Sequence, residues 1–100
     1  MLILRQKMVA KPDKRDELGA ALADIMGPGR TVEGVISLDI ANILHEPNAF
    51  IATVVYEDAA AIERQESRPE VSKVVAILPD SLAAPLERTF FDAVPDSALA

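Results

Sequence analysis

Residues 34–57 read GVISLDIANILHEPNAFIATVVYE, and this stretch decides the fold. In its first half Ile36, Leu38, Ile40, Asn42 and Leu44 fall on one parity, with Val35, Ser37, Asp39, Ala41 and Ile43 on the other. In its second half Phe50, Ala52, Val54 and Tyr56 alternate with Ile51, Thr53, Val55 and Glu57. A period of two over such lengths predicts two strands, and the polar segment 45–49 (HEPNA) predicts the turn that joins them. Both faces of the second strand are largely apolar. Such a strand is covered on both sides.

Outward from the hairpin, the chain alternates helix and strand signals. Upstream, residues 2–10 alternate with Leu2, Leu4, Gln6 and Met8 on one side and predict a strand. Lys11-Pro12-Asp13 ends it, with Asp13 as the expected helix N-cap. Leu18, Ala21, Leu22, Ile25 and Met26 then mark one face of an amphipathic helix, which the sequence Gly27-Pro28-Gly29 is expected to stop. Downstream, Asp58 caps a short Ala-rich helix that runs past Gln65. Residues 67–70 (SRPE) fit a capping box for another helix, with Val71, Val74, Val75 and Leu78 on its apolar face and Pro79 at its end. Leu86 to Val94, with Phe90 and Phe91, reads as a last strand. The order β-α-β-β-α(α)-β is the ferredoxin-like split βαβ arrangement. It implies an α+β fold with a four-stranded antiparallel sheet and helices on one face. The other face is too apolar to stand in water, so a homodimer packed sheet to sheet is expected.

One hundred residues make one domain, expected over 1–94, with 95–100 as a tail. Ten basic against sixteen acidic residues give a net charge of −6. That balance argues against nucleic acid or an anionic membrane as partner. No apolar run approaches the roughly 18 residues of a membrane span, and the N-terminus lacks a signal-peptide layout, so a cytoplasmic protein is expected. Without cysteine there is no thiol nucleophile or thiolate metal site. One histidine, His45, supports neither a nucleophilic triad nor a metal ligand set.

The motifs taken in order resemble the antibiotic biosynthesis monooxygenase (ABM) family, whose members are dimeric α+β barrels. Val9–Lys14 (VAKPDK) resembles the family's VKPGK entry to the first helix, and Arg30–Gly34 (RTVEG) its RAEPG. Glu46–Phe50 (EPNAF) is similar to DPNxF, Val55–Asp58 (VYED) to RWED, and Ser67–Val71 (SRPEV) to ASPHF. The resemblance implies a ligand pocket between sheet and helices. It also implies oxidation of a small aromatic or quinol by molecular oxygen, with no metal or flavin cofactor. A dihydroxyaromatic can itself donate an electron to oxygen once deprotonated. The protein then supplies a dry pocket, a proton acceptor and hydrogen bonds. The chain departs from the family at three positions. Tyr56 stands where a tryptophan is usual, Val54 where a glutamate is, and Gln65 where a histidine often lies on the short helix. With no tryptophan and its only histidine in a turn, the chain reads against the haem-degrading subgroup.

The candidate ligand contacts are Tyr56, Asn42, Gln6 and Gln65. Tyr56 either points into the pocket or packs on the helices with its hydroxyl at the edge. Asn42, on the apolar parity, either meets a ligand or bonds to backbone. Gln6, between Leu4 and Met8, is a polar handle in the pocket or a residue of the dimer seam. Gln65 flanks the expected pocket mouth, or lies on a solvated helix face with Arg64. His45 reads as a turn residue, Asp39 and Ser37 as a polar spot facing away from Asn42, and Arg30 as a surface ion-pair partner of Glu33. No catalytic residue is assigned. Two rivals to an oxygenase remain. One is a non-catalytic dimer that binds a small apolar metabolite. The other is a structural domain whose inner space is filled by Ala52, Val54, Ile62 and Val74.

Overall fold

The computed structural model describes residues 1–95, 97 and 99. Asp96, Ala98 and Ala100, in the tail expected over 95–100, lie outside the described residues. The elements run β1 (Leu2–Val9), α1 (Arg15–Gly29), β2 (Val35–Ile43), β3 (Glu46–Tyr56), α2 (Ala59–Glu66), α3 (Pro69–Ser81) and β4 (Glu87–Asp92). The four strands form one antiparallel sheet in the order β2-β3-β1-β4. This is the ferredoxin-like α+β fold expected from the sequence.

β3 is the spine of the sheet because it pairs along both edges. Leu4 faces Val54 and Gln6 faces Ala52 across β1, while Leu38 faces Val54 and Ile40 faces Ala52 across β2. This register puts Leu4, Met8, Leu38, Phe50, Ala52, Val54 and Tyr56 on one face, all buried. The helices lie over that face. Leu18 and Leu22 of α1 and Val74 and Leu78 of α3 join Met8, Phe50 and Ala52 in one cluster. Ala61 of α2 joins Leu4, Leu38, Val54 and Tyr56 in a second.

Several local expectations shift for identifiable reasons. The hairpin turn is Leu44-His45 rather than 45–49, with His45 at φ 66°. Glu46 to Ala49 belong to β3: Glu46 pairs with Ile43 of β2, and after a register shift the next residues are held by β1, Ala49 opposite Val9 and the Asn48 carbonyl accepting from Ala10 N–H at 2.8 Å. Ile36 is the extra residue of a bulge between Val35 and Ser37, and it turns out to solvent with Leu44 rather than staying with Leu38. α1 begins at Arg15 without a side-chain cap from Asp13, and it runs through Pro28 to Gly29. Its last carbonyls are still satisfied. Arg30 N–H donates to Met26 and Gly27, the Thr31 hydroxyl to Pro28 at 2.7 Å, and Gln65 Nε2 to Gly29 at 3.2 Å. The capping box at 67–70 does not form. Arg68 is the N-cap residue, and the Ser67 hydroxyl donates back to the Arg64 carbonyl at 3.2 Å. Pro79 sits inside α3 two residues before its end. The Asp58 cap does form, accepting from Ala61 N–H at 3.0 Å.

Gly34 fixes how α2 lands on the sheet. Its φ of 88° is open to glycine, and a Cβ there would stand 2.6 Å from the Cβ of Ala61. Gly34→Ala is expected to destabilise by roughly 1–3 kcal/mol from strain and collision together. Gly27, a helical glycine with nothing within 4 Å of its Cβ position, should instead gain up to about 1 kcal/mol on conversion to alanine. Urea unfolding of both variants checks the contrast, and equal effects would refute it.

Candidate functional site

Between the two core clusters the packing is incomplete. A cavity of about 240 Å³ lies between the sheet and the helices. Its floor is Leu4, Gln6, Met8, Ala52, Val54 and Tyr56; its roof is Leu22 and Ile25 of α1 with Val71, Val74, Val75 and Leu78 of α3. The cause is a mismatch of sizes. Valines on α3 face the methyl of Ala52, and the short α2 covers only the Tyr56 end, so the layers cannot close. The inner space is therefore not filled by Ala52, Val54, Ile62 and Val74. A 150 Å³ apolar cavity holds benzene, so this one has room for roughly ten heavy atoms.

The polar groups in its lining are Gln6, Tyr56, Gln65, Glu66 and Arg88. The β1–β4 register sets Arg88 directly opposite Gln6, on the helix side of the sheet. Arg88 forms an ion pair with Glu66, the last residue of α2, and lies over the Phe90 ring, its Cζ 5.0 Å from the centroid. Gln6 has one weak contact, Nε2 to Met8 Sδ at 3.7 Å. Tyr56 is 1% exposed. Among the described residues its hydroxyl has no side-chain hydrogen bond, and no buried polar side-chain atom is sealed without a partner. The hydroxyl therefore faces the cavity. Burial holds its pKa above the ordinary 10.0, while the Arg88 guanidinium pulls it down. Tyr56 is thus a neutral hydrogen-bond donor at physiological pH.

Of the four residues singled out from the sequence, the fold brings Gln6, Tyr56 and Gln65 to the cavity and leaves Asn42 elsewhere. Asn42 is exposed on β2, where its Oδ1 accepts from Arg15 Nη2 at 2.9 Å. It lines a separate open groove beside α1, where Arg15 stacks on Phe50 at 4.9 Å. Gln65 is buried rather than on a solvated face, and both ends of its amide are engaged. Nε2 donates to Gly29, and Oε1 accepts from Arg68 Nη1 at 2.8 Å. His45 is exposed in its turn. Arg30 bonds to the Leu38 carbonyl and Asp39 rather than Glu33. Arg88 and Glu66 were missed. The available signal for Arg88 was parity: in a strand carrying Phe90, position 88 shares its face.

Residues 1–77 match the sequence model of the antibiotic biosynthesis monooxygenase family. The chain belongs to this family. Among solved structures, this ABM chain is similar to Rv0793 from Mycobacterium tuberculosis, at 19% identity and TM-score 0.87, over 96% of this chain and 97% of that one. It is equally similar to a crystal structure of an antibiotic biosynthesis monooxygenase, at 18% identity and TM-score 0.87, over 95% of this chain and all of that one. At these identities the likeness is one of fold. It is also 29% identical over 86 residues to the uncharacterized protein sll1783 of Synechocystis sp., and spans 58% of that protein's length. Among the described residues of this ABM chain no helix is long and apolar enough to cross a membrane, and no three His, Cys, Asp or Glu side chains cluster as a metal site.

Tyr56 is the sole tyrosine and there is no tryptophan, so its ionisation can be followed alone. Ultraviolet titration should place the midpoint above 10, and Arg88→Gln should move it further up. The folded protein keeps the phenol proton to higher pH than the unfolded chain. Stability should therefore be flat with respect to this group below about pH 10 and fall as pH rises through the folded value. A midpoint at or below that of the urea-unfolded chain would contradict the burial described.

Proposed function

We propose that the chain is a cofactor-independent monooxygenase acting on a one- or two-ring phenol or quinol held in the cavity. The observation that carries this reading is the combination of apolar walls with Tyr56, Gln6 and Arg88 in one cavity lining, Arg88 close enough to Tyr56 to act on its ionisation. The walls exclude water from the ring. Arg88 beside a bound phenol lowers its pKa, and the proton leaves to water at the mouth. The neutral Tyr56 hydroxyl donates to the resulting oxyanion. The electron-rich phenolate then reduces oxygen. Conversion of its para C–H to a carbonyl consumes one O₂ and releases one water, with the substrate supplying all four electrons. The fold family supports oxygen chemistry of this kind.

A second reading, binding without turnover, has its own observation in favour. Position 65, where a histidine is often found in the family, carries a glutamine whose amide is wholly taken up in holding α2 to α1 and Arg68. Val54 adds only apolar surface. Oxygen uptake with phenols and 1-naphthols that carry a free para C–H, under strict metal chelation, separates the two. The oxygenase reading expects one O₂ per substrate. It also expects Arg88→Gln to lower kcat/KM by roughly 10–100-fold, the worth of a hydrogen bond to a charged group. Thermal stabilisation by the same compounds with no oxygen uptake selects the binder, and neither effect removes both.

We further propose a homodimer that packs through the helix-free face. Ile3, Val9, Ile51, Val55 and Phe91 lie there by register, and Phe91 is 45% exposed. Arg5, Lys7 and Thr53 share the face by register, and the partly exposed apolar side chains between them are the patches on which a second copy would dock. Sedimentation should give about twice the 10.8 kDa chain mass, and Val55→Glu in mid-sheet should give the monomer. A wild-type monomer would end this proposal.

A further inference from the structure

We infer that the Glu66–Arg88 ion pair is a charge-selective latch, in which an acidic one- or two-ring aromatic enters the cavity by replacing the Glu66 carboxylate on Arg88. The inference rests on the reading of this cavity as the ligand site, and it names the class of ligand.

Among the described residues Arg88 is the only basic side chain lining the cavity, and Glu66 the only acidic one. The pair joins the end of α2 to β4. The two partners are held very differently. Arg88 stands on a strand paired in register with β1, and its guanidinium rests on the Phe90 ring. It stays at the cavity if Glu66 leaves. Glu66 is the last residue of a helix, where the dipole disfavours a carboxylate. Among the described residues its one polar side-chain partner is Arg88. The side chains are 36% and 37% exposed, so water screens their attraction. A carboxylate or phenolate attached to a ring buried among Leu4, Val54 and Val74 meets Arg88 from the less polar side. It keeps the ion pair and adds the burial of the ring. The exchange leaves Glu66 in solvent, where a carboxylate is well hydrated, and leaves no charge unpaired inside.

The test is calorimetric titration of the full chain at neutral pH with 2-naphthoate and its neutral counterpart 2-naphthamide. Naphthoate carries no oxidisable phenol, so binding is read apart from turnover. Wild type should bind naphthoate about tenfold or more tightly than naphthamide, as a charge-assisted contact to arginine requires. Glu66→Gln removes the resident competitor and should tighten naphthoate about three- to tenfold with naphthamide unchanged. Arg88→Gln should erase the preference, and Arg88→Lys should keep part of it. Equal affinity for the two ligands in wild type, or naphthoate weakened by Glu66→Gln, would overturn the latch while leaving the oxygenase reading intact. If naphthoate binds as expected and no phenol is oxidised, the latch stands and the oxygenase reading falls. If neither compound binds, the cavity is not the ligand site and both fall.

Discussion

Everything in this molecule depends on β3 being hydrogen-bonded along both of its edges. Its partners β1 and β2 fix the parity of the whole sheet through two registers that meet at Ala52 and Val54. A slip of one residue against β1 would turn Leu4 and Met8 out of the core, and one against β2 would turn out Leu38. The same double pairing explains why the strand is apolar on both sides. One side lies under the helices. On the other, Ile51 and Val55 are only partly buried.

The inner face shows how an enclosed space arises without dedicated architecture. Three helices must cover a sheet whose floor falls from Met8 and Val54 to the single methyl of Ala52. The roof of α3 is built of branched but short valines. α2 is eight residues long and is held close by Gly34 and by Gln65, which reaches the last turn of α1. These two struts seat the helix at the Tyr56 end and set how far the roof can descend elsewhere. Gln65 therefore shapes the cavity as a spacer, its hydrogen bonds spent on backbone and Arg68.

The electrostatics follow from the same geometry. Tyr56 is sealed against the second core cluster, which disfavours its anion, yet Arg88 arrives from β4 close enough to oppose that effect. A neutral phenol and a permanent cation thus line the same largely apolar chamber. Asn42 and Arg15 form a second polar contact, but they sit on the outer edge of the sheet, where the pair braces α1 against the end of β3 through the Pro47 carbonyl.

Patterns of period two and 3.6 were legible in the chain because burial repeats with the geometry of each element. They identified the four strands, the helices, their order and the ferredoxin-like topology, and the ordered motifs pointed to the ABM family. Gln6 and Tyr56 were legible as cavity residues for the same reason, since parity alone assigns a face. What could not be read locally was anything settled by distant partners. The true hairpin turn depends on a register shift between β2 and β3 beside residues held by β1, the end of α1 on a glutamine 36 residues away, and the exposure of Ile36 on a bulge. The meeting of Arg88, Glu66 and Tyr56 brings together three elements whose separation along the chain carries no signal of contact. Hydrophobic periodicity is a local property and is written in sequence. The place where packing fails to close, and the charges that end up beside it, are decided only when the sheet and helices are pressed together.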